Sequence, residues 1–532
     1  MSLARNTIVQ ATLTLGSRIL GFARDLALAG RFGQGPLMDA FATALMAPNL
    51  FRRLFAEGAF AQAFVPVYGR VKAEEGEESA ADAASRSLSF LLFVVVAFVI
   101  AAQIAMPWIM PLLLSAYREE PEALRLATIA TQLAMPYLAC MAVASLLAGV
   151  LNTAGRFALT AAAPAALNVC TIVPLVLVPD REQALLAAAA AVSLAGVVQA
   201  GLLWWATRRL GVRLRIGLPG LSAVVKRVLV LAVPGALAGG AMQINSLVSQ
   251  VLTGTDAGAR SVLYNADRLY QLPLGLVGVA IGLALVPRLT RSFVSGDETG
   301  ARATLDDGIG LAMTFTLPAA VALFVMPYFL IDATVTRGAF TSADAARTAD
   351  VLRQFAWGVP AFVLAKVFTP PFFARQDMRR PMKYAMVSVA VNVVVGASLY
   401  FGLRRAGIDG VVGLGVATSL AAWVNVALLA GTLAREGIYR PGPAVRRRMW
   451  RVGAAALVMG AALAACSYFY EELSALLWRK ELAIVAAVLI GFGVYGLAVL
   501  AFRAVTPAEL KAALRREPGL KGGDLPAGLD PG

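Results

Sequence analysis

Ten stretches of this chain run for about twenty residues or more without a charged side chain, the length a helix needs to cross a bilayer core. They lie between Arg86 and Arg118, Arg125 and Arg156, Arg156 and Asp180, Glu182 and Arg208, Arg227 and Asp256, Asp307 and Asp332, Lys383 and Arg404, Asp409 and Arg435, Arg451 and Glu471, and Glu481 and Arg503. Four more segments, at 8–31, 37–69, 258–288 and 345–373, are long and apolar but carry internal charge. By length the total is about fourteen spans. Only 15% of the residues are charged and 59% are hydrophobic, against about 25% and 45–50% in a soluble domain. The expected fold is an all-α polytopic membrane protein with no separate soluble domain.

Several function classes drop out on composition. The net charge is +15, but most Lys and Arg stand in short loops beside apolar spans, where they set topology. No basic face with interleaved aromatics appears, so no nucleic-acid partner is expected. The chain has no histidine, which removes the commonest general base and metal ligand. Cys140, Cys170 and Cys466 are far apart within apolar spans, an arrangement that suits neither a disulfide framework nor a zinc site. No metal or cofactor is expected, and nothing in the sequence says whether Na⁺ or H⁺ is a coupling ion. The first apolar stretch is long and charged, unlike a cleavable signal.

The loops alternate in charge. Segment 207–227 holds six basic residues and no acid, 374–383 sets Arg375, Arg379, Arg380 and Lys383 against Asp377, and 435–451 sets six arginines against Glu436. The intervening loops, around Glu119-Glu120, Asp180, 332–350 and Glu471-Glu472, are mixed or acidic. The positive-inside rule then makes the basic loops cytoplasmic and places both termini there, in agreement with an even number of spans. Residues 507–516 suit a short amphipathic helix, and from Glu517 onward Gly, Pro and charge suit disorder.

Two stretches resemble each other. Segments 134–157 and 358–381 each place a proline near the start of a span, end in a basic loop, and precede a span with an asparagine, Asn168 or Asn392. Segments 64–70 and 285–291 match more loosely, also about six spans apart. Such repeats put a substrate site between two bundles. The expected organisation is a six-helix lobe at 1–215, a second at 216–437, helices 13 and 14 at 438–505, and a cytoplasmic tail at 506–532.

The embedded charges point to the substrate. A charge at the bilayer centre costs roughly 2.5–3.5 kcal/mol on insertion scales, so such residues mark functional sites. Arg18 and Asp25 are seven apart and share a helix face, while Arg24 points elsewhere on a regular helix. In span 2, Pro48 bends the helix beside Asn49 and Arg52, and Arg53 and Glu57 are spaced to pair. Asp39 lies near the external end of that span, as a gate residue or in solvent. In span 8, Asp267 and Arg268 precede Pro273 and point about 100° apart. Arg18, Arg24, Arg52 and Arg268 are the candidate anion ligands. Asp25, Asp39, Asn49, Arg53, Glu57, Asp267 and Gln271 are supporting or gate residues. Arginine keeps its charge in a low-dielectric site and binds phosphate with two parallel hydrogen bonds, which suits a diphosphate.

The run LGSRILGFARD (15–25), DAF (39–41) and PNLFRRLFAEGAFAQAFVPV (48–67) resembles the MurJ/MviN family of lipid II flippases, within the multidrug/oligosaccharidyl-lipid/polysaccharide exporter superfamily. Further matches are LNTAGRF (151–157), ADRL (266–269), PRLTRSF (287–293) and ARQD (374–377), so the resemblance covers nearly the whole chain. It implies fourteen helices in two six-helix lobes around a central cationic cavity, with helices 13 and 14 forming a groove for an undecaprenyl tail. It also maps the family's functional arginines onto Arg18, Arg24, Arg52 and Arg268, its aspartates onto Asp25 and Asp39, and its asparagine onto Asn49. Where some members carry a glutamate three residues after the span 8 arginine, this chain has Gln271.

The expected activity is translocation of lipid II, an undecaprenyl-diphosphate disaccharide-pentapeptide, across the bacterial inner membrane by alternating access driven by membrane potential. The expected state is a monomer among membrane lipids, associated with cell-wall synthesis proteins. One alternative is an exporter of another polyprenyl-diphosphate-linked oligosaccharide. A membrane enzyme acting on undecaprenyl substrates is a second, disfavoured by the lack of histidine and by embedded acids that sit beside arginines. No catalytic residue is expected.

Overall fold

The computed structural model of the chain describes residues 3–55, 59–375 and 377–504. Residues 3–11, 47, 50–55, 59–62, 233–246, 272, 276–288, 290 and 293–294 are described by their backbone alone. The expected Arg53–Glu57 pair, the cavity-facing Arg52 side chain and the tail at 506–532 lie outside the described residues.

Among the described residues all regular structure is helical. The first half comprises α1 (Leu3–Phe32), α2 (Pro36–Phe55), α3 (Ala59–Leu113), α4 (Pro121–Ala134), α5 (Tyr137–Thr153), α6 (Phe157–Ala162), α7 (Ala165–Leu177) and α8 (Arg181–Arg209). The second comprises α9 (Ala223–Thr253), α10 (Ala259–Val294), α11 (Glu298–Val325), α12 (Pro327–Val335), α13 (Ser342–Ala356), α14 (Val359–Phe368), α15 (Pro370–Ala374), α16 (Arg379–Arg405) and α17 (Gly410–Arg435). Then follow α18 (Pro443–Tyr468), the short α19 (Tyr470–Leu476) and α20 (Lys480–Ala501).

Ten helices or broken-helix pairs are long and apolar enough to cross a membrane among the described residues. The other four expected spans coincide with α1, α2, α9 and α10, each of which includes residues described by backbone alone.

Local chemistry explains the breaks. Pro136 and Pro164 have no N–H to continue a helix, and α5 and α7 restart just after them. In the second half the chain breaks at 357–358, ahead of Pro360, where α13 gives way to α14. The two similar segments thus hold corresponding broken helices. Helix starts are capped by Asp180, Ser222 and Asp297, and α13 by a reciprocal Thr341–Asp344 box. In the loop after α17, Glu436 accepts from Arg375 Nη1 at 2.9 Å and from Arg380, and these arginines hold its carboxyl below the usual carboxylate range.

Packing largely follows the chain halves, except that Val228 and Ala232 of α9 join the first cluster and Ala29 of α1 joins a second-half one. One apolar cluster is built from Leu28 to Ala232, around α2–α5 and α8. Two others draw mainly on α10–α17. The α18–α20 pair packs on α11 and α12 through Met326, Phe329, Met459, Leu463 and Ile484. Asp332, 6% exposed at the end of α12, fastens that pair: Tyr470 donates to it and Lys480 Nζ lies 3.5 Å away.

Asp332→Ala strands the Tyr470 hydroxyl and the Lys480 ammonium, a loss of about 1–3 kcal/mol. Its apparent melting temperature in detergent should fall by several degrees, and Asp332→Asn, which keeps an acceptor, should fall less.

Candidate functional site

The site lies where α1 and α7 of the first half meet α10 of the second. Asp25, in α1, is its centre. The neighbouring Arg24 folds back along the helix and donates to Asp25 Oδ1 from Nη2 at 2.7 Å and from Nε at 3.1 Å. Tyr264, from α10, donates to the same oxygen at 3.0 Å. Arg268, one turn further along α10, sets its Nε 3.6 Å from Asp25 Oδ2 and its guanidinium carbon 4.7 Å from the Tyr264 ring centroid. Arg18 shares a helix face with Asp25 on a regular helix, but Arg24 and Arg268 take the carboxylate.

Arg24 is also held from α7. Its Nη1 donates to Asn168 Oδ1 at 3.1 Å, and Asn168 Nδ2 donates to the Ser17 carbonyl at 2.9 Å. Arg24 and Asp25 are 7% and 9% exposed, so both are desolvated and each depends on the other.

Arg18 is exposed, and its guanidinium crosses from α1 to lie against the α10 backbone at Gly275, where a Cβ would meet Nη1 at 1.7 Å. Lys366 of α14, also exposed, lies within electrostatic reach of Arg18. Asp267 accepts from Gln271 on its own helix. Asn49 is half-buried on α2 beside the buried Pro48. Four cations (Arg18, Arg24, Arg268 and Lys366) thus gather around two acids (Asp25 and Asp267), an excess of two positive charges among the described residues. That arrangement suits an anion with several oxygens, which can accept from more than one guanidinium.

Asp39 lies elsewhere, toward the end of the bundle that carries the 33–35, 114–120, 254–258 and 336–341 loops. It is fully buried, not in solvent. Its Oδ2 accepts from Tyr117 Oη at 2.8 Å and Gly258 N at 2.9 Å, and its Oδ1 accepts from Ser261 N at 2.8 Å. A carboxylate of the first half therefore caps the start of α10 in the second, using N–H groups that have no partner within the helix.

Around it the halves touch repeatedly. Ala339 N donates to the Gly30 carbonyl at 2.8 Å, Gln34 Nε2 to Thr348 Oγ1 at 2.6 Å, and Ala116 N to the Gly254 carbonyl at 2.9 Å. At Gly254 a Cβ would meet the Leu113 carbonyl at 1.8 Å, so only glycine permits this approach. The bundle is shut at this end.

Sequence reasoning missed Tyr117, Tyr264, Lys366 and Arg260, and used Asn168 only as a marker of the repeat. Lys366 carried a usable signal, as a lysine inside an apolar stretch. Arg260 stands near the start of the 258–288 segment, where a charge reads as a loop residue. Nothing local marks Tyr117 or Tyr264.

A polytopic helical bundle whose halves meet around buried arginines defines a membrane transporter with a cationic interior. Its fold is shared with an inward-facing multidrug transporter of the MATE family, at a TM-score of 0.65 and 15% identity over 81% of this chain and 98% of that one. It is shared more fully with a solved lipid II flippase MurJ in an inward closed conformation, at a TM-score of 0.77 and 22% identity over 93% of this chain and 99% of that one. The family model described as lipid II flippase MurJ matches residues 28–483, and the chain belongs to that family. Among relatives, a probable lipid II flippase MurJ of Rhizobium meliloti is 38% identical over 468 residues, covering 87% of this chain and 86% of the relative. The lipid II flippase MurJ of Burkholderia cenocepacia is 32% identical over 480 residues, covering 88% and 91%.

Asn168→Leu removes the acceptor that orients Arg24 and leaves a buried guanidinium hydrogen unpaired, at a cost of about 1–3 kcal/mol. Cells depending on this variant should grow poorly at normal protein level, and Asn168→Asp, which keeps the acceptor for Arg24 but loses the donor to the Ser17 carbonyl, should grow better. Equal growth of both would show that Asn168 does not orient Arg24.

Proposed function

We propose that this chain is a lipid II flippase, moving an undecaprenyl-diphosphate-linked disaccharide-pentapeptide from the inner to the outer leaflet of the bacterial cytoplasmic membrane. The observation that carries the reading is the convergence of Arg24 and Arg268, from opposite halves, on the one Asp25 carboxylate beside an exposed Arg18. Asp25 occupies the place an oxyanion of the diphosphate would take. The substrate competes with it for Arg268, whose Nε has no hydrogen-bond partner among the described residues. The family membership and the names of the relatives support the same substrate.

In this reading residues 1–215 and 216–437 are two six-helix lobes, residues 438–505 hold helices 13 and 14 with a groove for the lipid tail, and 506–532 is a cytoplasmic tail, with fourteen spans in all. Both termini face the cytoplasm. The shut end of the bundle is then external, and the interior is reached from the cytoplasm. Substrate enters with its tail in the bilayer, the arginines take the diphosphate, and rocking of the lobes parts the Asp39 contacts to release it outward. The protein works as a monomer, without catalysis or cofactor, beside the enzymes of cell-wall synthesis.

The membrane potential, worth about 2.3 kcal/mol per elementary charge per 100 mV, favours both half-cycles. It drives the loaded, more negative complex outward and draws the empty, net-positive interior back. No Na⁺ or H⁺ is then required.

The test is translocation of purified lipid II in proteoliposomes with the potential clamped. The rate should rise several-fold with an inside-negative potential and fall at least tenfold in Arg268→Ala. A rate indifferent to potential and abolished by collapsing an ion gradient would overturn the energetic part. Near-normal growth of a flippase-depleted strain carrying Arg18→Ala and Arg268→Ala together would overturn the cationic site itself.

A further inference from the structure

Arg260 is among the largest fully buried side chains of the described residues, 1% exposed, and it sits in the seam between the halves. It starts α10 in the second half, yet two of its three acceptors belong to the first. Nη1 donates to Thr43 Oγ1 of α2, and Nη2 donates at 2.8 Å to the Leu113 carbonyl at the end of α3 and also to the Gln250 carbonyl of α9. Nε has no partner. Thr43 in turn donates at 2.6 Å to the carbonyl of Asp39 itself. The acidic groups within electrostatic reach of Arg260 are Asp39 and Tyr117, the two that meet at the α10 N-terminus.

None of the acceptors of Arg260 carries a formal charge, so the guanidinium needs a countercharge from nearby. Asp39 has the converse need. It is fully buried, and its hydrogen-bond donors (Tyr117, Gly258 N and Ser261 N) are neutral. Arg260 and Asp39 supply each other's countercharge from opposite sides of the seam; Arg347, the other cation acting on Asp39, is already paired with Asp256 and Asp409. A buried ion left alone is far more costly than a buried pair.

We propose that Arg260 is a gate-positioning residue, the countercharge that allows Asp39 to remain under the shut end of the bundle. Parting the halves removes Thr43 and the Leu113 carbonyl from Arg260, and Gly258 and Ser261 from Asp39, and water replaces both sets. Because the two ions are buried or hydrated together, closure at this end is one event across both lobes. The role rests on the alternating-access reading above, but its test reads closure directly and needs no substrate.

Gln34 and Thr348 touch across the same end, outside the Arg260 network. In a background with Cys140, Cys170 and Cys466 changed to Ser, a Gln34→Cys/Thr348→Cys pair in native membranes is treated with a short bifunctional thiol reagent. The cross-linking rate reports the shut state. Arg260→Met should slow it at least threefold, because among the described residues Asp39 then keeps only Arg347, itself paired with Asp256 and Asp409, as a nearby cation. Adding Asp39→Asn should bring the rate back to within twofold of the parent, a rescue that general damage to the fold does not produce. Unchanged cross-linking in Arg260→Met, or no rescue by Asp39→Asn, overturns the proposal.

If Arg260→Met fails to accumulate, Arg260→Lys decides. A single ammonium cannot span the same three acceptors, so slower cross-linking than the parent is expected and an equal rate overturns the role. Loss of lipid II translocation in a protein that still cross-links normally would count against the transport chemistry, not against this gate.

Discussion

Two carboxylates of the first half hold one helix of the second. Asp39 caps the start of α10 through Gly258 and Ser261, and Asp25 meets the same helix two turns on through Tyr264 and Arg268. The order of the interface follows from this pair of contacts. Arg260, Tyr264 and Arg268 recur at four-residue spacing and so lie along one stripe of α10, about 12 Å from first to last. The stripe faces an apolar-flanked seam, where charges are tolerated only in matched sets. A shift of α10 by one turn would leave both aspartates facing the wrong groups.

The two contacts differ in how completely they are satisfied, and the difference separates a gate from a binding site. At Asp39 both carboxylate oxygens are occupied by neutral donors at ordinary hydrogen-bond lengths, and the residue has no exposure. The Asp39 carboxylate itself has no exposed oxygen to offer. At Asp25 the Arg268 Nε stays 3.6 Å away, and the Arg268 side chain is 33% exposed. Arg18 and Lys366 add charge without adding a carboxylate. A carboxylate fully buried under neutral donors resists entry, whereas partly exposed cations in excess of their acids accept an anion.

The sequence exposed some of this and hid the rest for definite reasons. Arg18, Arg24, Asp25 and Arg268 are conspicuous because a charge inside an apolar span has a cost that must be offset somewhere. The broken helices of the two halves were foreshadowed by Pro136 and Pro360, since proline interrupts the ladder wherever it stands. Which charge meets which was not readable. Helical spacing puts Asp25 and Arg18 on one face and points Arg24 elsewhere, but a long arginine side chain can turn back on its own helix, and Arg24 does so. The contacts from Tyr264 and Arg268 cross some 240 positions of chain. Asp39 could be gate or solvent from sequence alone, because its burial depends on Tyr117 and Gly258, which carry no local sign of their partner.

Asparagine at 168 shows how a residue outside the list of charges shapes the site. Its amide spans α1, accepting from Arg24 and donating to the Ser17 carbonyl. With Asn168 on one side and Asp25 on the other, three nitrogens of Arg24 are committed within the first half. Among the described residues Arg268 is held more loosely, by the Tyr264 ring, the Asp25 oxygen 3.6 Å from its Nε and the charge of Asp267. The two arginines therefore play different parts when an anion arrives. Arg24 is a charge fixed by hydrogen bonds that moves with α1, and Arg268 is a more loosely held one that moves with α10. An oxyanion that engages both ties the halves together through itself, in place of the tie through Asp25. Substrate binding and the relation between the halves are then linked by competition for one guanidinium, with no need for a separate relay.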